Sequence, residues 1–174
     1  MAMRIITITG ASGVGKDTVA RILSEMTGFP MLCSYTTRPM REGEVDGREH
    51  HFVSKCCTDR KDMLAYTVYG GHQYWTEVSQ VTGTVIYVID EEGLRDLRAR
   101  FPQITLFTIG VYADMQIRQA RGVTEDRMVR DQERTLYDAS HYDYVIYNNG
   151  TLRDLHDQAS IITQLPPLTL NSKL

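Results

Sequence analysis

The seven residues Gly10-Ala11-Ser12-Gly13-Val14-Gly15-Lys16 restrict the fold of this chain more than any other stretch. They follow the β-branched run Ile5-Ile6-Thr7-Ile8-Thr9 without a spacer and lead into Val19, Ile22, Leu23 and Met26, an i, i+3, i+4, i+7 repeat. Strand, glycine turn and amphipathic helix in that order open a parallel strand–helix–strand unit. Glycines let successive backbone N–H groups turn inward around phosphate oxygens, and the N-terminus of the following helix adds partial positive charge. The pattern predicts a phosphate-binding loop over Ala11, Ser12, Gly13, Val14, Gly15 and Lys16, with the Lys16 ammonium reaching the β- and γ-phosphates of ATP. A chance glycine-rich turn is the alternative, and the flanking strand and helix make it the rarer one.

Strict forms of this motif place Ser or Thr directly after the Lys to bring a hydroxyl to Mg²⁺. Here Asp17 takes that place, followed by Thr18. A carboxylate is a good Mg²⁺ ligand, so Asp17 is expected to touch the ion or a water on it. The competing reading is a first-turn acid favoured by the helix dipole.

Three further apolar runs, residues 84–89, 104–109 and 142–147, read as strands buried on both faces. Each is followed by helical spacing: Leu94 and Leu97, then the segment from Ala113, then Leu152, Leu155, Ala159 and Ile162. The alternation predicts an α/β fold, a parallel sheet with helices on both sides. Residues 34 to about 78 interrupt it, rich in Thr, Tyr, Gly, His and charge. Within them Tyr66-Thr67-Val68-Tyr69 and His72-Gln73-Tyr74-Trp75-Thr76, separated by Gly70-Gly71, predict a hairpin and so an inserted β-rich lobe.

Across 174 residues the net charge is −3, which argues against the broadly basic surface that a nucleic-acid backbone requires. Of the 19 cations four are Lys and fifteen Arg, a bias towards the planar fork that grips small anions bidentately. No apolar run approaches the roughly 20 residues of a membrane span. No export signal is visible, and Cys33, Cys56 and Cys57 read as reduced thiols. A cytoplasmic location with no membrane or nucleic-acid partner is the expectation. His50, His51, His72, His141 and His156 lack a metal-binding spacing.

The stretch from Ser34 to Phe52 carries Thr36-Thr37-Arg38, Arg41-Glu42-Gly43-Glu44 and Gly47-Arg48-Glu49-His50-His51-Phe52. By itself it reads as a surface loop. With the glycine loop before it and the Tyr74 hairpin after it, the order and spacing resemble the guanylate kinase family of nucleoside monophosphate kinases. The resemblance covers most of the chain and implies a core of residues 1–33 and 79–174, a nucleoside-monophosphate lobe at about 34–78 and a lid at about 114–131 that closes over ATP. It places Arg38, Arg41 and Tyr74 on the acceptor phosphate, and Ser34 and Thr76 near the acceptor base.

Arg118, Arg121, Arg127, Arg130 and Arg134 form a further cluster, three of which share a helix face if a helix begins near Thr124. The resemblance makes Arg121 a lid residue and puts Arg130 ahead of Arg127 as the second lid-side arginine. The alternative is a solvated helix whose arginines pair with Asp114, Glu125, Asp126, Asp131 and Glu133, and Arg134 is expected to be such a surface residue. Asp90, closing the strand at 84–89, either joins the Mg²⁺ shell or caps the next helix. Asn148-Asn149-Gly150 resembles the stretch that borders adenine in such kinases.

Some positions depart from the family pattern. Ala65 and Val88 stand where the family carries carboxylates, the first of which reads guanine, and His50 stands where it carries a phosphate-binding Tyr. Asp62 or Glu77 offers a substitute carboxylate through a shifted register. The expected activity is ATP-dependent phosphoryl transfer to a nucleoside monophosphate, GMP or dGMP first. Gly15-Lys16-Asp17 also resembles the ribose 1,5-bisphosphate kinases, which makes a small-molecule phosphotransferase the second reading. A non-catalytic protein-binding module of the same fold is the third.

Overall fold

Neighbouring residues of a strand face opposite sides of a sheet, and in Ile5-Ile6-Thr7-Ile8 every residue is buried, so the first strand must be covered on both faces. The computed structural model bears this out. It describes residues 3–48, 50–69, 71–133 and 138–165, the side chains at positions 69, 130 and 133 excepted. The described chain runs β1 (Arg4–Thr9), α1 (Lys16–Thr27), β2 (Tyr35–Thr36), β3 (His51–Phe52), β4 (Met63–Tyr69), β5 (His72–Glu77), β6 (Thr84–Val88), α2 (Glu91–Arg100), β7 (Thr105–Tyr112), α3 (Met115–Ala120), α4 (Glu125–Glu133), β8 (Tyr144–Tyr147) and α5 (Leu152–Thr163).

A four-stranded parallel sheet in the order β6-β1-β7-β8 forms the core. On one face Ile6, Ile8, Ile86, Ile109 and Ile146 meet Val19, Ile22 and Leu23 of α1 and Leu155, Ala159 and Ile162 of α5. On the other, Ile5, Val85 and Tyr87 meet Leu94 and Leu97 of α2. Each buried Ile, Leu or Val among them contributes about 1.5–3 kcal/mol through burial. Two expectations need correction. The run at 142–147 is not buried on both faces, because β8 is the sheet edge and Tyr147 is exposed. Met26 and Leu152 carry the helical spacing yet are exposed, since Met26 lies in the last turn of α1 and Leu152 is the first residue of α5.

The inserted stretch forms a second four-stranded sheet, β3-β2-β5-β4. The hairpin between β4 and β5 has the expected register, Tyr66 opposite Trp75 and Tyr69 opposite His72, with Gly71 at φ +78° in the turn. Gly70 lies outside the described residues. Leu64 is fully buried in the α2-side core, so β4 anchors this sheet to the first. Arg60 adds a bond to Asp96 of α2 at 2.8 Å.

Candidate active site

The turn between β1 and α1 adopts backbone angles that require glycine. Gly13 has φ +76° and Gly15, the residue capping α1, has φ +96°. A Cβ on Gly13 would come within 2.1 Å of Val123, and one on Gly15 within 2.5 Å of the Asn148 amide. Glycine therefore satisfies both torsion and space at these positions. Lys16 begins α1, and its Nζ donates to the Ala11 carbonyl at 3.0 Å, which folds the ammonium back over the loop.

Beside the loop lies a cleft of about 280 Å³ lined by Gly13, Gly15, Lys16, Asp17, Thr18, Arg121, Gly122, Val123 and Arg127. Three cations face it against one carboxylate, a balance suited to a polyanion. Arg121 donates to the carbonyls of Gly13 at 3.2 Å and Asn148 at 2.9 Å, and the buried Asn148 amide donates to Val14 at 2.8 Å. Arg127 stands in the cleft wall. The Arg130 side chain and all of Arg134 lie outside what is described. Asp17 is exposed in the first turn of α1. Asp90 caps α2, its Oδ1 accepting from the Gly93 N–H at 2.7 Å, which is the alternative raised for it from sequence.

Ser12 was expected to take part in phosphate binding and proves to be heavily engaged with protein. Its N–H and hydroxyl donate to the Asp131 carboxylate at 2.8 and 3.2 Å, and its carbonyl accepts from Arg118 Nε at 2.7 Å. Arg118 also donates to Asp131. Asp131 is 2% exposed. On sequence Asp131 counts only among acids that pair with arginines on a solvated helix, and the 119 residues separating it from Ser12 leave no local signal of the contact.

In the inserted sheet Thr36 pairs with both Tyr74 and Phe52, which brings distant motif residues into register. His50 Nδ1 lies 2.7 Å from Ser34 Oγ, and its ring centre is 5.5 Å from that of Tyr74. Arg38 lies over the Phe52 ring at 5.3 Å. Ser34, Arg38 and Tyr74 are thus brought together, with His50 and Phe52 beside them. Thr76 is fully buried, and its hydroxyl donates to Tyr87 at 2.8 Å, a phenol pushed up to about 12 by burial. Of the expected acceptor residues, Thr76 links the inserted sheet to β6, whereas Arg41 is exposed.

Glu44 organises the arginine loop. It receives a two-pronged contact from the Arg38 guanidinium at 2.7 and 3.0 Å and the Arg41 N–H at 2.7 Å. The Arg38 contact, followed by the Arg41 N–H, holds its carboxyl down from 4.5 to about 2. Because the folded value is depressed, the clamp's contribution to stability is complete above the unfolded value. It is lost progressively as pH falls from 4.5 through about 2. A ¹³C NMR titration of the Glu44 carboxyl is expected to show a midpoint near 2; a midpoint above 4 would contradict the clamp.

Ala65 lies opposite Thr76, beside a register shift in β4, so no carboxylate occupies that position. Glu77 accepts from Thr58 Oγ1 and, at 3.4 Å, from Trp75 Nε1, and these bonds direct it to the Trp75 side of the sheet rather than to the Tyr74 side.

The chain was compared with known proteins. The family model described as Guanylate kinase matches residues 2–165. A guanylate kinase of Symbiobacterium thermophilum is 34% identical over 91% of this chain and 83% of its own length. One from Bradyrhizobium diazoefficiens is 32% identical over 89% of this chain and 80% of its own. Among solved structures, guanylate kinase from Anaplasma phagocytophilum superposes with a TM-score of 0.62 at 21% identity, covering 93% of this chain and 84% of that one. A sugar kinase from Janibacter superposes at 0.57 with 13% identity, covering 95% and 96%, and these two likenesses establish the fold. A family model that spans nearly the whole chain, with relatives that agree over four-fifths or more of their length, places this protein in the guanylate kinase family.

Proposed function

We propose that the protein transfers the γ-phosphoryl group of ATP to a nucleoside monophosphate, with GMP and dGMP as the first candidates. The observation that carries this reading is the position of Lys16 at the head of α1, in one cleft with Arg121 and Arg127. Family membership supports the acceptor class.

Phosphoryl transfer depends mainly on positioning and on offsetting charge spread over the transferring group. In this account the glycine loop and the start of α1 hold the β- and γ-phosphates, and Lys16 leaves its bond to Ala11 to meet them. Arg121 and Arg127 offset charge from the lid side. Arg38, Arg41 and Tyr74 hold the acceptor phosphate, which is ionised near neutral pH and needs no general base. The reaction therefore requires no histidine or cysteine catalyst.

Asp17 and Thr18 suit Mg²⁺, an oxygen-seeking ion that keeps several waters and takes one or two carboxylates beside substrate phosphates. Among the described residues no three His, Cys, Asp or Glu side chains lie close enough to hold a metal by themselves, so substrate phosphates and waters would complete the shell. When bound, the ion offsets charge on the β- and γ-phosphates. Asp17→Ala is expected to raise the Mg²⁺ concentration needed for half-maximal turnover; an unchanged Mg²⁺ titration would leave Asp17 as a first-turn acid.

No helix among the described residues is long and apolar enough to cross a membrane. The test of function is ADP release over GMP, dGMP, AMP, CMP, UMP, dTMP and ribose 1,5-bisphosphate. Turnover confined to nucleoside monophosphates is expected. Turnover with none of these acceptors would contradict the proposal.

A further inference from the structure

We infer that Asp131 is a positioning residue for the ATP side of the cleft, the group that fixes the glycine loop against the lid. This rests on the reading of the loop as the triphosphate site. Asp131 sits on α4, near the C-terminal end of that helix, and is 2% exposed. Its carboxylate gathers the Ser12 N–H, the Ser12 hydroxyl and the Arg118 guanidinium, while Arg118 from α3 returns a bond to the Ser12 carbonyl. Both helices of the lid segment thus close on one residue of the loop. The packing agrees, since Val123, between α3 and α4, fills the space that a side chain on Gly13 would need.

A buried ion pair is a poor source of net stability, because desolvation offsets most of the attraction. What the arrangement supplies is geometry. It uses up the charge of Arg118 on Asp131, leaving Arg121 and Arg127 to face the cleft, and it ties the loop to the elements that carry them. Asparagine has nearly the shape of aspartate but offers one acceptor oxygen and an NH₂ group, which would confront the Ser12 or Arg118 donors.

Two simpler accounts predict different results. If Asp131 acted only as a negative charge near the triphosphate, removing it would tighten ATP binding. If it acted only in general stability, Asp131→Asn would lower the melting temperature and leave both substrates' affinities alike. Positioning predicts that Asp131→Asn weakens binding of a non-hydrolysable ATP analogue by about tenfold, the equivalent of one net hydrogen bond, while GMP affinity stays within about twofold. Calorimetric titration of each ligand separately into wild type and variant, with thermal unfolding recorded alongside, reads all of these. Should Asp131→Asn fail to fold, Arg118→Lys keeps the charge but loses the fork that spans Ser12 and Asp131, and the same selective loss is expected from it. Unchanged or tighter analogue binding, or equal weakening of both ligands, would overturn the inference. Failure of the wild type to bind the analogue would instead overturn the reading of the loop.

Discussion

Lys16→Ala is expected to reduce ATP-dependent turnover by about 100- to 1,000-fold, the cost of losing one preorganised group that stabilises transition-state charge. The fold is expected to survive. In the free protein the Lys16 ammonium donates to the Ala11 carbonyl at 3.0 Å, and a bond of that kind is worth about 1 kcal/mol net. The turn of the loop is set by Gly13 and Gly15, not by the ammonium. Steady-state ADP release and circular dichroism, run on the same preparation, separate these statements. Wild-type turnover in a folded variant would remove Lys16 from the mechanism.

Arg38→Ala is the second large effect, and it should fall on the other substrate. The acceptor KM is expected to rise by about 100-fold, equivalent to roughly 3 kcal/mol for a charge-assisted, two-pronged contact, with the KM for ATP nearly unchanged. The variant also strips Glu44 of the partner that holds its carboxyl near 2, so that carboxyl should titrate closer to its ordinary 4.5. Arg41→Ala is expected to act in the same direction but more weakly, because Arg41 is exposed and its backbone, rather than its guanidinium, is what Glu44 grips. Equal changes in both KM values would contradict the assignment of this loop to the acceptor.

Much of the molecule was legible from local pattern. The glycine loop announced itself because strand, turn and helix each impose a short-range rule and all three agreed. The Tyr66–Thr76 hairpin followed from two β-prone runs around a glycine pair, and its register was as expected. The contacts that lock the site were not legible, because they join residues far apart in the chain. Asp131 belongs to a helix with many charges, and only the fold brings it to Ser12. That Asp90 caps α2 rests on one oxygen meeting the Gly93 N–H, a contact its place after a strand leaves open. The place of Arg127 in the cleft wall depends on the direction of α4, which local spacing does not give. Thr76 lies in a strand beside Tyr74 in the motif, yet the fold turns its hydroxyl to Tyr87.

Transfer requires that two anionic groups, one from each substrate, be held simultaneously by separate parts of the molecule. A crystal structure with a non-hydrolysable ATP analogue and GMP tests this directly. The expected result is the triphosphate cradled between Val14 and Lys16, and the monophosphate against Arg38, Arg41 and Tyr74. An empty glycine loop, or a monophosphate bound away from Arg38, would contradict it.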